Sequence, residues 1–176
     1  MKYPDFFSTL PSIILYDPLS EFLGTFENGI VEFNYLDVVK NSGHSCPTVA
    51  GAYLMSLYAL NALYKDETPV RGNIQISFRE DESSGVTGVF ANVMSHITGA
   101  ADSSGFKGIN GKFKRADLIN FNASINAIVK FTRTDTNESV EVSYDPSSIT
   151  QDPKYKLWQE KVEKIFEQSD KVISVI

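Results

Sequence analysis

The sequence is poor in the residues that most often carry disulfide, metal and acid–base chemistry. Its 176 residues include one cysteine, two histidines and one tryptophan. A single cysteine, Cys46, excludes a disulfide within the chain and gives no sign of an oxidising compartment. Positive charge is also scarce, with 16 lysines and arginines against 22 aspartates and glutamates, for a net charge of −6. Because nucleic acids and anionic membranes attract clustered positive charge, we expect neither as a partner.

Long hydrophobic runs are missing as well. The apolar run at 13–16 is bounded by Pro11 and Asp17, so the N-terminal region is not expected to be an export signal. The longest uncharged stretch, 48–64, contains Asn61 and many small or hydroxyl residues, which is typical of a buried core helix. We therefore expect no membrane span. A cytoplasmic location follows as the default.

The order of the periodic segments predicts an α+β fold, in which helices pack on a mainly antiparallel sheet. A chain of this length is expected to form one domain, 1–176, with a core at about 25–145. The predicted strands lie at 73–79, 124–133 and 140–144, with a small hairpin at 25–34 that turns at 27–29. The strand at 73–79 is expected to be half exposed to solvent. The predicted helices lie at 18–23, 35–40, 47–64, 86–97 and, amphipathic, at about 153–174.

Between these elements, segment 100–115 combines three glycines with Lys107, Lys112, Lys114 and Arg115. The glycines do not have the spacing of a phosphate-binding fingerprint. The pattern indicates an exposed loop with solvated cations. A lid or an anion-steering loop over a functional site is the alternative, because such loops commonly carry recognition.

The segment Ser42-Gly43-His44-Ser45-Cys46-Pro47 is the best candidate site. Pro47 suits the first position of a helix, because its fixed φ fits there and its missing N–H has no partner to lose. Cys46 would then be the N-cap residue, with the positive end of the helix dipole favouring its thiolate. A His-x-Cys pair here suits zinc or a similar metal, or a nucleophilic Cys46. A buried structural cysteine beside a locally bonded histidine is the bland alternative.

With these residues the chain resembles the FmdE-like family of formylmethanofuran dehydrogenase components. The resemblance covers roughly residues 25–145 in the same order. It differs at Thr48 and Ala100, where the family has Gly and Cys, and it lacks the zinc-ribbon extension of some relatives. The matching residues are Gly43-His44-Ser45-Cys46-Pro47, Gly51, Thr98-Gly99 and the segment 111–118.

The resemblance implies a fold shared with the catalytic domain of glyceraldehyde-3-phosphate dehydrogenase-like proteins, a homodimer, and a metal ion at His44 and Cys46. The ion implied is most simply Zn²⁺. His96 precedes Thr98-Gly99, so its imidazole is a candidate third ligand in place of the missing cysteine. Three protein ligands and water would leave an open coordination position for a small molecule. Carboxylate alternatives for the third ligand are Asp81, Glu82 and Asp102.

The sequence leaves three functions open. The first is a small zinc-binding protein that offers an open site to a small molecule. The second is a metal-free enzyme with Cys46 as nucleophile and His44 or His96 as base. The third is an accessory subunit with a degenerate site. No motif places a carboxylate as general base, so the sequence predicts neither a substrate nor whether the protein is an enzyme.

Overall fold

The computed structural model describes residues 2–149 and 158–176. These ranges contain both helices and strands, with several strands and several helices consecutive in the chain, which confirms the α+β class. The strands are β1 (Ile13–Tyr16), β2 (Ile30–Phe33), β3 (Ile74–Phe78), β4 (Ile119–Asn120), β5 (Val129–Arg133), β6 (Ser139–Tyr144) and β7 (Ile173–Val175). The helices are α1 (Pro18–Phe22), α2 (Tyr35–Ser42), α3 (Pro47–Tyr64), α4 (Thr87–Thr98), α5 (Trp158–Glu167) and α6 (Ser169–Val172).

The main sheet has five strands in the order β4-β3-β5-β6-β7. Its pairs are antiparallel except for β3 with β4, so the prediction of a mainly antiparallel sheet is confirmed. A separate two-stranded sheet pairs β1 with β2, with Ile13 opposite Phe33. No helix within the described ranges combines the length and apolar character needed to cross a membrane.

Helix α3 is the centre of the molecule, as its uncharged sequence predicts. It packs against α2, α4, α5 and the strands β5, β6 and β7. Because neighbours surround it, small residues are needed where they approach most closely. At Gly51 an added Cβ would lie 2.4 Å from the ring of Tyr144 on β6. Because α3 is buried on nearly all sides, it has no face of polar residues directed to solvent.

Side-chain caps determine where two of the smaller helices begin. Asp17 accepts hydrogen bonds from the backbone N–H groups of Leu19 and Ser20, at 3.0 and 3.2 Å, and starts α1. Asn34 and Asp37 form a reciprocal capping box that starts α2. Both starts agree with the predicted helices, because Asn and Asp side chains supply the acceptors that the first turn lacks.

The predicted hairpin at 25–34 is wrong. Strand β2 pairs with β1 instead, and residues 27–29 form a 3-10 turn. The carbonyl of Gly29 accepts a 2.7 Å hydrogen bond from the backbone of Asp17, which docks this turn on the start of α1. The buried residues Ile13 and Leu15 of β1 explain the choice of partner, because they offer β2 an apolar neighbour.

The exposure of the β3 region was predicted only in part, since Gln75 is half-buried and Arg79 is exposed, as expected. Ile74, Ile76 and Phe78 are fully buried on one face, as expected, but Ser77 on the other face is only 6% exposed. A central strand with β4 and β5 on its two sides is covered more completely than its alternating sequence indicates. The predicted strand at 124–133 is shorter in the structure, where β5 begins at Val129.

The predicted C-terminal helix at 153–174 also requires correction. Residues 153–157 lie outside the described part. Helix α5 ends at Glu167, α6 follows, and the chain then turns into β7, where Val175 lies opposite Val142 of β6. The reason is that β6 would otherwise have a free edge. The β-branched residues of β7 favour an extended chain there, and β7 supplies hydrogen-bond partners to the backbone of β6.

Segment 100–115 has little regular structure but is tied to its surroundings. The backbone N–H of Ala101 donates to the carbonyl of Arg115 at 2.9 Å, and that of Leu118 donates to the carbonyl of Ala101 at 2.9 Å. The lysines of the segment are exposed, as predicted, whereas Arg115 is buried. The four cations of this segment therefore do not share one environment.

Candidate functional site at the N-terminal end of α3

Cys46 is the N-cap residue of α3 and Pro47 is at its first position, as predicted. Cys46 has extended backbone angles (φ −150°, ψ 170°), and its side chain makes no capping hydrogen bond. The thiol is therefore not engaged in a hydrogen bond with the N–H groups of the first turn of α3. Since Cys46 is half-buried, the sulfur lies between the core and solvent at the positive end of the α3 dipole.

The hydroxyls of two tyrosines, the buried Tyr35 and the half-buried Tyr144, flank this helix end. The hydroxyl of Tyr35 lies 2.9 Å from that of Ser45, and the hydroxyl of Tyr144 donates to the carbonyl of Pro47 at 2.8 Å. Burial raises the pKa of both tyrosines, and the nearby Cys46 raises both further, while the hydrogen bond with Ser45 partly opposes this for Tyr35. Both phenols are therefore neutral hydrogen-bonding groups beside the thiol.

Gln159 of α5, from the C-terminal part of the chain, also contacts this site. Its amide nitrogen donates to the carbonyl of Ser45 at 3.0 Å. Its amide oxygen is buried and has no hydrogen-bond partner among the described residues. A buried acceptor normally has a hydrogen-bond partner, so this oxygen is a candidate acceptor for a bound molecule.

An open, largely apolar cavity of about 470 Å³ adjoins the site. Such a volume lies within the range of ligand pockets, roughly 300–1,000 Å³. Both Ser45 and Gln159 reach its wall, whereas Cys46 does not line it. Its apolar wall includes Tyr3, Phe7, Leu36 and Val39.

His44 is exposed in the loop between α2 and α3. Its Nδ1 lies 3.0 Å from the carbonyl oxygen of Ser42. A proton on Nδ1 is donated to this carbonyl, which leaves the lone pair of Nε2 free. Metal-binding histidines are commonly oriented by such a bond to a backbone carbonyl.

His96, the third predicted ligand, has a different environment. Its ring meets that of Phe33 on β2 edge-on, with 5.1 Å between centroids. Burial lowers the pKa of His96, the charge of Arg71 lowers it further, and Asp37 opposes them in part. Its Nε2 is buried and has no hydrogen-bond partner in the described part of the chain.

The predicted ligands do not form a cluster. Across residues 2–149 and 158–176, no group of three or more His, Cys, Asp or Glu side chains is arranged to hold a metal ion. The carboxylate alternatives are partly committed elsewhere, since Asp81 and Asp102 each accept bonds from a serine two residues later. No third donor among the described residues therefore joins His44 and Cys46, and their pairing rests on the sequence. The zinc centre stays a prediction.

Tyr35, Tyr144 and Gln159 were not predicted as parts of this site. The hydrogen bonds of the last two span 97 and 114 residues of the chain, a separation that no local pattern indicates. Only Ser45 had a signal, because it lies within the His-x-Cys segment.

A scan against models of known protein families finds no match to this chain, and neither does a search of curated protein sequences. The resemblance to the FmdE-like family, with the fold relationship that it implies, therefore stays a prediction. What the α3 site can do has to be argued from its own chemistry.

Proposed function

We propose that this protein binds a thiophilic transition metal ion, most simply zinc, through Cys46 and His44, and presents that ion to a small molecule. The observation that carries the proposal is that the two donors, two residues apart before α3, are not used by the helix end. The thiol of Cys46 makes no capping bond, and Nδ1 of His44 is bonded to Ser42 so that Nε2 is available. Thiolate and imidazole are the ligands that zinc prefers.

The remaining coordination positions are open in this proposal. No third donor within the described residues joins the pair, so water, a small molecule or a second copy of the chain would complete the shell. The cavity lined by Ser45 and Gln159 supports a small-molecule ligand. As parts of the same proposal, the protein is a cytoplasmic homodimer that binds neither nucleic acid nor membrane.

A metal-free enzyme with Cys46 as nucleophile is the second candidate. It is favoured by the half-buried thiol at the start of α3, where the helix dipole stabilises a thiolate. His44 is the neighbouring base. The third function, an accessory subunit, would leave Cys46 without metal and without unusual reactivity.

Metal content and thiol reactivity, measured on the same samples, separate these functions. We expect about one zinc ion per chain in the protein as isolated, and its loss in Cys46→Ala and His44→Ala. His96→Gln is the matched control, because it changes the other histidine. Retention of zinc in that variant would assign the ligands to the α3 site alone, whereas its loss would restore His96 as a ligand.

Absence of zinc, together with rapid alkylation of Cys46 in the wild type, would overturn the metal proposal in favour of the thiol enzyme. Absence of zinc with slow alkylation would favour the accessory subunit. Size-exclusion chromatography with light scattering tests the homodimer on the same preparations. A monomer that retains zinc would exclude a second copy as the source of the missing donor.

A further inference from the structure

A second polar centre lies between α1, the loop before β3 and segment 100–115. Asp17 accepts a 3.0 Å bond from Nη1 of Arg71 through one carboxylate oxygen and a 2.6 Å bond from Nη2 of Arg115 through the other. The side chains of Asp17 and Arg115 are only 4% and 9% exposed. Asp17 and Arg115 thus form an ion pair removed from solvent, where charges need close partners, and the partly exposed Arg71 joins them.

The cluster has a net charge of +1, because it contains two arginines and one aspartate. Burial alone would raise the pKa of Asp17, but the hydrogen bond from Arg71 and the charge of Arg115 hold that pKa below its ordinary value. Asp17 is therefore ionised, and one carboxylate faces two guanidinium groups. A buried excess charge is unfavourable unless a counter-ion approaches it.

The donors of Arg71 and Arg115 are used unequally. Arg71 donates through Nε to the carbonyl of Ile97 and through Nη2 to that of His96, both at 3.0 Å, and so caps the end of α4. Nη1 of Arg115 is buried and has no hydrogen-bond partner among the described residues. Arg115 therefore supplies both the excess charge and an unused donor.

Two glycines make room for this guanidinium. An added Cβ would lie 2.1 Å from Nη1 of Arg115 at Gly72 and 2.6 Å from it at Gly99. Both glycines have positive φ angles, 89° and 72°. The backbone around Arg115 thus has the shape that its side chain requires, and Gly99 belongs to the Thr98-Gly99 pair that the metal proposal leaves unused.

A cavity of about 280 Å³ opens beside the two arginines. Its wall also carries Lys112 and Lys114 from segment 100–115, and the ring of Phe113. Lys114 is paired with Asp117 at 2.6 Å, whereas Lys112 forms no salt bridge with the described residues. Four cationic side chains on one small cavity are unexpected in a chain with a net charge of −6.

We propose that this cavity binds the oxyanion group of a small molecule, a phosphate or a carboxylate, with the buried Arg115 and the half-buried Arg71 as its contacts and Lys112 at its rim. Guanidinium groups suit both anions, because their planar donors match the oxygen spacing. The volume is at the small end for ligand pockets, which favours a small anion. None of the lining residues belongs to the α3 site, so the two proposals are independent.

Calorimetric titration of the intact protein with inorganic phosphate, and separately with succinate, tests the proposal at fixed ionic strength. We expect at least one probe to bind, and the preferred probe identifies the group. Arg115→Gln should lose binding, and Lys112→Gln should weaken it about two- to five-fold, as for an exposed charge. Lys107→Gln, an exposed lysine of the same segment outside the cavity, should bind as the wild type does.

Failure of both probes to bind the wild type would overturn the proposal, as would unchanged binding by folded Arg115→Gln. If circular dichroism shows that Arg115→Gln is unfolded, the pair Lys112→Gln and Lys107→Gln decides, and equal affinities would reject the site. Cys46→Ala should bind the anion with wild-type affinity. Loss of zinc and loss of anion binding can therefore be told apart.

Discussion

The N-terminal end of α3 and the cluster around Asp17 both bring polar groups into the molecule, but by opposite means. The α3 site is built from neutral groups, the phenols of Tyr35 and Tyr144 and the amide of Gln159, around one thiol. The Asp17 cluster is built from formal charges. Neutral polar groups need only hydrogen bonds when they are buried, whereas charges need partners of opposite sign.

Because of this difference, we expect the Asp17 cluster to matter mainly for stability and the α3 site mainly for binding or reactivity. The charges of the Asp17 cluster join segments that are far apart in sequence, so breaking one pair leaves an uncompensated charge inside the protein. The thiol of Cys46, by contrast, makes no capping hydrogen bond with α3. We therefore expect substitutions in the cluster to alter stability first, and substitutions of Cys46 to alter binding or reactivity first.

The largest effect is expected for Asp17→Asn. Asparagine can still cap α1, but it removes the charge that faces Arg71 and Arg115, at a cost of about 3–5 kcal/mol. Urea unfolding monitored by circular dichroism measures the loss. Asp37→Asn is the matched control, because Asp37 is also a capping residue but is half-buried, with Lys40 3.9 Å away. If Asp17→Asn loses no more free energy of unfolding than Asp37→Asn, the charges of the Asp17 cluster do not have the stabilising role proposed here.

The same variant gives a test by pH. Because the folded-state pKa of Asp17 is lowered, its stabilisation is complete above the ordinary value of 3.8 and is lost as the pH falls through the lower folded value. The stability gap between the wild type and Asp17→Asn should therefore be constant near neutral pH and should shrink below pH 3.8. A gap that does not narrow in acid would indicate that the charge of Asp17 is not the cause.

A smaller effect is expected at the α3 site for Gly51→Ala. The new methyl group would meet the ring of Tyr144 at 2.4 Å, which outweighs the gain in helix propensity. We expect a net loss of roughly 1–2 kcal/mol. In a Tyr144→Ala background the same change should be neutral or stabilising. Equal effects in both backgrounds, measured by urea unfolding, would show that close packing against β6 does not require this glycine.

The smallest effect is expected at His96, which lies beside Arg71 rather than beside Cys46. Burial holds its folded pKa below 6.5, so its stabilisation is complete above pH 6.5 and is lost as the pH falls further. The loss should stay below about 1.4 kcal/mol per pH unit. His96→Gln should remove this slope and His44→Gln should keep it, in unfolding experiments on chelator-treated protein. The reverse result would exchange the roles of the two histidines.

The main features of α3 could be predicted because they depend on adjacent residues. Pro47 determines the first turn, which makes Cys46 the N-cap residue, and the absence of charge from 48 to 64 predicts a helix that is buried all round. The caps at Asp17 and Asn34 are equally local. Capping and periodicity operate within a few residues, so they can be recognised in the sequence.

The sequence by itself thus determined the helix start at Pro47, the N-cap position of Cys46 and the α+β class. Only the tertiary structure decided that β2 pairs with β1, that the chain ends in β7, and that Arg115 is buried against Asp17 while Lys112 stays exposed. Strand partners and buried ion pairs depend on which distant surfaces remain available after packing. Pairing over such separations leaves no period or spacing in the sequence, because its energy comes from contacts that exist only in the folded chain.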